Sequence, residues 1–129
     1  MTRALDTNIV LRLMTDDDPS QAARARAIIE EDFHIPVTVL VETDWVLRSF
    51  YGWSRAERAA GFRILLDMPR AVSIPRSAEW AVERLAAGAD FADMMHVAAS
   101  DGASTFATFD RKLARRAGVD APVPVETLR

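Results

Sequence analysis

The sequence predicts an α/β fold built on a parallel sheet of four to five strands with helices on both faces. Short apolar segments alternate with longer amphipathic segments along the 129 residues, an order that is typical of parallel sheets. Residues that end helices or begin turns separate the segments, and we find no internal repeat and no linker-like segment. We therefore expect one domain, residues 1–129, which is close to the common domain size.

The first 75 residues are predicted to hold three strands and four helices. Thr7 or Asn8 is expected to cap the first helix, and the acids that precede Pro19 mark the start of the second. Ser54 and Glu57 have the spacing of a capping box, which opens the fourth helix. We expect strands at residues 3–6, 33–35 and 71–74, and helices at residues 8–13, 20–31, 38–51 and 54–67.

The remaining residues are predicted to hold two strands and three helices. Gly88 and Gly118 follow apolar-periodic segments and mark helix ends. Asp90 is expected to cap the helix that follows it, and Pro124 restricts the last strand to the edge of a sheet. We expect strands at residues 105–108 and 123–125, and helices at residues 77–87, 90–100 and 111–117.

Composition excludes several kinds of function. The chain has no cysteine, so thiol catalysis, cysteine-ligated zinc and disulfides are excluded, and we expect a cytoplasmic protein. No segment is apolar enough for a membrane span, and the N-terminus lacks the apolar stretch of a signal peptide. The net charge of −3 argues against a general nucleic-acid coat protein. It does not exclude a nuclease, because a bound metal and local basic patches can outweigh it.

Four carboxylates interrupt apolar segments in which core residues are expected. They are Asp6, Glu42, Asp93 and Asp110. An ionised carboxylate is costly to bury unless something pairs with it. Two of the acids end predicted strands and two lie in the first turns of predicted helices, so all four could face the carboxyl-end edge of the sheet. Such a pocket would suit a hard divalent cation, Mg²⁺ or Mn²⁺.

Each acid also has an ordinary structural explanation. Asp6 and Asp110 could cap helices, Asp93 could be the capping-box partner of Asp90, and Glu42 could pair with an arginine. Taken together, their placement favours the metal pocket. The parts played by Asp90, Asp44 and His96 stay open.

The acids also lie in motifs of a known family. The segments Leu5-Asp6-Thr7-Asn8, Val41–Leu47, Asp90–Ala98 and Ala107–Arg111 follow one another along the whole chain. In this order they resemble the PIN domain nucleases, and among these the VapC-type toxins of bacterial and archaeal toxin–antitoxin pairs. The resemblance implies a PIN-like three-layer sandwich with the sheet in the middle.

The resemblance also implies an activity. It assigns Asp6, Glu42, Asp93 and Asp110 as catalytic and metal-binding residues of an endoribonuclease that uses Mg²⁺ or Mn²⁺. Asp6 and Asp93 would be the principal ligands. It places Asn8 and Thr108 beside the ligands, where they would orient water or carboxylates. The implied products are 5′-phosphate and 3′-hydroxyl ends. The implied partners are RNA and a small antitoxin protein, in a homodimer or a toxin–antitoxin hetero-oligomer, with no membrane association.

Two surfaces are candidates for contacts. Four basic side chains could neutralise RNA phosphates, although the same pattern also suits a solvated helix face. They are Arg12, Arg111, Lys112 and Arg115. Four aromatic residues are either core residues or an apolar surface for an antitoxin helix or a second protomer. They are Trp45, Phe50, Tyr51 and Trp53.

Two other kinds of protein remain as alternatives. A receiver-like magnesium-binding module has an acidic pair after its first strand and a lysine at a later strand end. Here the first strand leads to one acid, and Lys112, the only lysine, lies in a predicted helix. A non-catalytic RNA-binding or scaffolding domain is favoured only if the acids cannot hold a metal.

Overall fold

Short parallel strands alternate with helices along residues 2–129, which are those that the computed structural model describes. The strands are β1 (Arg3–Ala4), β2 (Phe33–His34), β3 (Ala71–Ser73), β4 (Phe106–Thr108) and β5 (Val125–Thr127). The helices are α1 (Thr7–Met14), α2 (Pro19–Ile28), α3 (Val37–Ser49), α4 (Arg55–Leu66), α5 (Ala78–Ala86), α6 (Phe91–Ala98) and α7 (Leu113–Ala117). The chain divides into two compact units, Met1–Pro75 and Arg76–Arg129.

The first unit is built on a parallel sheet in the order β1-β2-β3. Arg3 is in register with Phe33, and Phe33 with Ala71. Helix α1 packs against α2 and α3, and α3 packs against α4. The helices and the sheet enclose fully buried apolar side chains, whose removal from water is the main stabilising contribution to this unit. The largest of these are Phe33, Ile35, Leu40, Leu47, Phe62 and Leu65.

The second unit pairs β4 with β5 in parallel, and Phe106 is in register with Val125. Helix α5 packs against α6, and α7 packs against β5. The core of this unit is formed mainly by one face of each helix. Its largest fully buried side chains are Val82, Leu85, Phe91, Met94 and Met95.

The predicted α/β class with parallel strands is confirmed, and all twelve predicted elements are present in order. Four of the five strands are shorter than predicted, and the strands form one sheet of three and one of two. The last strand begins at Val125 and not at Val123, because Pro124 has no N–H and contributes only its carbonyl, which accepts from the Phe106 amide at 2.8 Å. The first helix is capped by Asp6, not by Thr7 or Asn8.

None of the helices within residues 2–129 combines the length and the apolar character that crossing a bilayer requires.

Candidate functional site

The first acid lies at the junction of β1 and α1. The Leu5 amide extends the sheet by donating to the His34 carbonyl at 2.9 Å. The chain then turns, and Asp6 takes extended backbone geometry with its Oδ1 accepting from the Thr7 amide at 2.8 Å. This bond satisfies one of the amides that every helix leaves unpaired at its start. Asp6 is therefore a helix cap, and its carboxylate is held at the carboxyl end of the strand while remaining exposed.

Thr7 links this junction to the second acid. Its buried hydroxyl donates to Oε1 of Glu42 on α3. Glu42 lies in the second turn of α3, which begins at Val37, and not in the first turn as predicted. Thr7 is expected from the sequence only as a helix cap, so this contact was not predicted. A threonine directly after a strand-end acid is a weak signal, since the bond joins residues 35 positions apart and no pattern in the sequence connects them.

The third and fourth acids lie in the second unit, together with Asp90. Asp90 caps α6 as predicted, with Oδ2 accepting from the Asp93 amide at 3.0 Å. Asp110 follows β4, and its amide donates to the Thr108 hydroxyl at 3.0 Å. Its Oδ1 accepts from the Lys112 amide at 2.9 Å. Asp110 is thus held in a side-chain turn that precedes α7, and it is not the N-cap, which is Lys112.

The electrostatic surroundings of Asp93 show that these acids affect one another. Partial burial raises the pKa of Asp93, and the nearby charges of Asp90 and Asp110 raise it further, while His96 opposes them. Both effects disfavour the ionised carboxylate. A cation would reverse this balance, so the negative charge around Asp93 is of a kind that a metal ion could offset.

The expectation that the four acids replace core residues is wrong in its detail. Asp6, Glu42 and Asp110 are exposed, and Asp93 is half-buried. The buried acid is Asp44, whose carboxylate accepts from Arg58 at 2.5 Å. Residues two positions apart in a helix point in directions that differ by about 200°, so Glu42 and Asp44 face different sides of α3. Both acids have apolar neighbours in the sequence, and this pattern did not show which of the two would be buried.

The donor set suits a hard metal ion, although no ready-made centre is present. Within residues 2–129, no group of three or more histidine, aspartate or glutamate side chains stands close enough to hold a metal. In the first unit Asp6 and Glu42 both accept hydrogen bonds from Thr7. In the second unit Asp93 lies near the charges of Asp90 and Asp110. Carboxylate oxygens are the ligands preferred by Mg²⁺ and Mn²⁺, and the charge around Asp93 fits a cation.

Comparison with known proteins identifies the family. A model of the PIN domain matches residues 3–119, which include all four acids. The chain belongs to the PIN domain family. Searches of curated proteins and of solved structures gave no match. PIN domains are typically nucleases that need a metal, and membership therefore indicates a nuclease in general.

The predicted basic residues of this PIN domain fall into two kinds. Arg111, Lys112 and Arg115 are exposed and form no ion pair within residues 2–129, so their charges are available to an anionic ligand. Arg12 is different. It bonds to Asp17 at 2.6 Å and to Gln21 at 2.8 Å, and only 19 % of its side chain is exposed.

The aromatic segment of the PIN domain is partly surface. Trp45 is 59 % exposed and Phe50 80 % exposed, so neither is a core residue. Tyr51 packs edge-on against Phe50 and donates its hydroxyl to Asp17 at 2.6 Å. Trp53 lines an apolar groove of about 370 Å³ in the first unit, which fits the surface alternative better than the core alternative.

Proposed function

We propose that this PIN domain is a Mg²⁺- or Mn²⁺-dependent endoribonuclease. The observation that carries the proposal is the family match over residues 3–119, a range that includes Asp6, Glu42, Asp93 and Asp110. The charge crowding around Asp93 supports a cation-binding role for the second unit. The reaction would be hydrolysis of an RNA phosphodiester to 5′-phosphate and 3′-hydroxyl ends.

The four acids would hold the metal, with Asp6 and Asp93 as principal ligands and Glu42 and Asp110 completing the set. When bound, the ion would supply charge stabilisation at the phosphate and a water nucleophile active near neutral pH. Carboxylates alone would repel the phosphodiester, so the acids act only through the cation.

Neighbouring groups would keep these carboxylates in place. Thr7 donates to Glu42 and so fixes the direction of that side chain. Thr108 bonds to the backbone of Asp110 and holds the turn from which its carboxylate projects. Asn8 would orient water or the Asp6 carboxylate. Such supporting bonds commonly change metal affinity or activity by about 10- to 100-fold when they are removed.

The exposed cations after β4 would bind the substrate. Arg111, Lys112 and Arg115 follow Asp110 directly, so phosphates bound to them would flank the bond that is cut. Their local positive charge would favour the approach of RNA although the chain as a whole carries a net charge of −3.

We propose further that the nuclease is the toxin of a toxin–antitoxin pair. The order of the acidic motifs resembles that of VapC-type toxins. The exposed apolar side chains of Trp45 and Phe50 are ones that a helical antitoxin segment could cover. The assembly would be a homodimer of the toxin or a toxin–antitoxin hetero-oligomer. An arginine from that segment would satisfy the acids and exclude the metal.

A cleavage assay tests the nuclease. Purified protein should cut RNA with Mg²⁺ or Mn²⁺ and stop in EDTA. Asp93→Asn should lower the rate by about a hundredfold or more. Asp120→Asn is the matched control, because Asp120 is an exposed acid of the same unit outside the motifs. Equal rates for wild type and Asp93→Asn, in preparations free of other nucleases, would contradict the assignment.

Growth measurements test the toxin. Expression of the wild-type chain should arrest growth, and Asp6→Ala should not. Co-expression of the protein encoded by the neighbouring gene should restore growth, and the two proteins should purify as one complex, whose mass gives the assembly. Harmless accumulation of active wild-type protein in a host that lacks the neighbour would refute the toxin role and leave the nuclease standing.

A further inference from the structure

A second concave surface lies between α1 and α2 in the first unit. It is a groove of about 340 Å³ with an apolar floor that includes Ile9 and Ala25. Its rim carries polar and basic side chains from both helices, namely Asn8, Gln21 and Arg24. No carboxylate is among the lining residues. The groove is therefore lined by hydrogen-bond donors and apolar carbon, which suits a ligand rich in oxygen and negative charge.

Arg12 organises the groove and is not its free cation. Its Nε donates to Oε1 of Gln21 at 2.8 Å. Its Nη1 donates to Asp17 at 2.6 Å. The Asp17 carboxylate also accepts from the hydroxyls of Tyr51 at 2.6 Å and Thr15 at 2.9 Å. Because the Gln21 carbonyl is occupied by Arg12, the side-chain amide nitrogen of Gln21 is left to donate to a ligand.

Three donors on the rim are available. The Asn8 side chain, the Gln21 side-chain nitrogen and the Arg24 guanidinium form no hydrogen bond or ion pair within the part of the chain that the structure describes. All three residues are exposed. Gln21 and Arg24 are three positions apart on α2 and so project from one face of that helix. A guanidinium with neutral hydrogen-bond donors beside it is an arrangement that suits the binding of a phosphate group.

The groove begins next to the first catalytic acid. Asn8 lies two residues after Asp6, whose carboxylate caps the same helix. Four residues of helix from Asn8 to Arg12 span about 6 Å, so the groove extends from the strand-end edge along α1. A groove of about 340 Å³ holds a short segment of one strand and not a duplex.

We infer that the α1–α2 groove binds the sugar-phosphate backbone of single-stranded RNA beside the cleavage site, with Arg24 contacting a phosphate. Gln21 and Asn8 position the strand, and the Arg12–Asp17–Tyr51 cluster keeps Gln21 oriented. This inference rests on the proposed nuclease function. RNA would then be bound by the groove of the first unit as well as by the cations that follow Asp110.

Binding measurements with paired arginine variants test the groove. The full chain carrying Asp93→Asn is titrated, in Mg²⁺ buffer, against a fluorescently labelled single-stranded RNA of mixed sequence, alone and with Arg24→Ala or Arg26→Ala. Arg26 is the matched control, because it is an exposed arginine on the same helix outside the groove. Arg24→Ala should raise Kd about tenfold. It should also reduce the slope of log K against log salt by about 0.7.

Three outcomes would overturn the inference. The first is a Kd and a salt slope of Arg24→Ala that equal those of the parent protein, provided that the variant melts like its parent. The second is an equal rise of Kd in Arg24→Ala and Arg26→Ala, which would show only a general charge effect. Unchanged RNA binding together with loss of a co-purifying partner protein in Arg24→Ala would assign the groove to that partner.

Cleavage by otherwise wild-type chains separates this inference from the proposed function. If Arg24→Ala raises KM with little change in kcat while Arg26→Ala changes neither, the groove is a substrate site. If the wild-type chain cleaves RNA and both variants match it, the groove inference fails and the nuclease stands. If the wild-type chain does not cleave RNA at all, the proposed function fails. The difference in Kd between Arg24→Ala and Arg26→Ala then still shows whether the groove binds RNA.

Discussion

The Asp44 carboxylate and the Arg58 guanidinium lie 2.5 Å apart, and their side chains are only 9 % and 7 % exposed. The pair joins α3 to α4 inside the first unit. The Arg58 Nε is buried without a hydrogen-bond partner in residues 2–129, so the cation depends strongly on Asp44. A buried charge that loses its partner keeps its desolvation cost and gains nothing in return.

We therefore expect Asp44→Ala to lower the free energy of unfolding by about 3–5 kcal/mol, as for other broken buried pairs. The double variant Asp44→Leu/Arg58→Met should recover much of this loss, because it removes both charges. Urea denaturation of the three proteins measures the difference. If Asp44→Ala is as stable as the wild type, the pair does not stabilise the unit.

A second prediction concerns the acid side of the stability profile. The Tyr51 hydroxyl is the main cause that lowers the pKa of Asp17, with further contributions from Thr15 and Arg12. The pKa of Asp17 in the folded state therefore lies below its value of about 3.9 in the unfolded chain. The ionised Asp17 carboxylate contributes its full stabilisation above a pH of about 3.9. This contribution is lost as the pH falls through the pKa of the folded state.

Tyr51→Phe should raise the pKa of Asp17 and shift the acid loss of stability to higher pH. NMR titration of the Asp17 carboxyl group and melting temperatures between pH 2 and 7 measure both effects. Asp16→Asn is the control, since Asp16 is an exposed neighbour without a described ion pair. Equal Asp17 titration curves with and without the Tyr51 hydroxyl would disprove this account.

A third prediction concerns the end of α7. Gly118 has φ 78° and ψ −178°, a region that only glycine occupies easily. An added Cβ would also lie 3.3 Å from the Arg84 guanidinium, whose Nε bonds to the Arg116 carbonyl at 2.6 Å. Gly118→Ala should therefore destabilise the protein by about 1–3 kcal/mol. Val119→Ala, at a fully exposed neighbour, should stay within about 0.5 kcal/mol of wild type in the same melts.

A fourth prediction links the acids to the metal. A raised pKa means that ionising Asp93 costs more in the folded than in the unfolded chain, so the charged group destabilises the fold as pH rises through that pKa. Asp93→Asn should then melt above wild type in EDTA at neutral pH. Millimolar Mn²⁺ should raise the melting temperature of the wild type more than that of the variant. No response of the wild type to Mn²⁺ would mean that these acids form no site.

The sequence alone was sufficient for features that depend on neighbouring residues. The order of strands and helices follows from local periodicity and from turn residues. The capping box of Ser54 and Glu57 and the cap supplied by Asp90 form within one helical turn, and both predictions are confirmed. Such bonds depend on spacing along the chain, which a sequence displays directly. The family could also be recognised from the order of its acidic motifs.

Tertiary structure decided everything that depends on which face a side chain takes and what it meets there. Glu42 and Asp44 stand two positions apart in one apolar segment, yet one is exposed and accepts from Thr7, and the other is buried against Arg58. Arg12 is predicted from the sequence to contact phosphate, and only the folded chain shows that it also bonds to Asp17 and Gln21. Free energies of burial and pairing depend on distances between residues remote in sequence, and only the folded chain sets those distances.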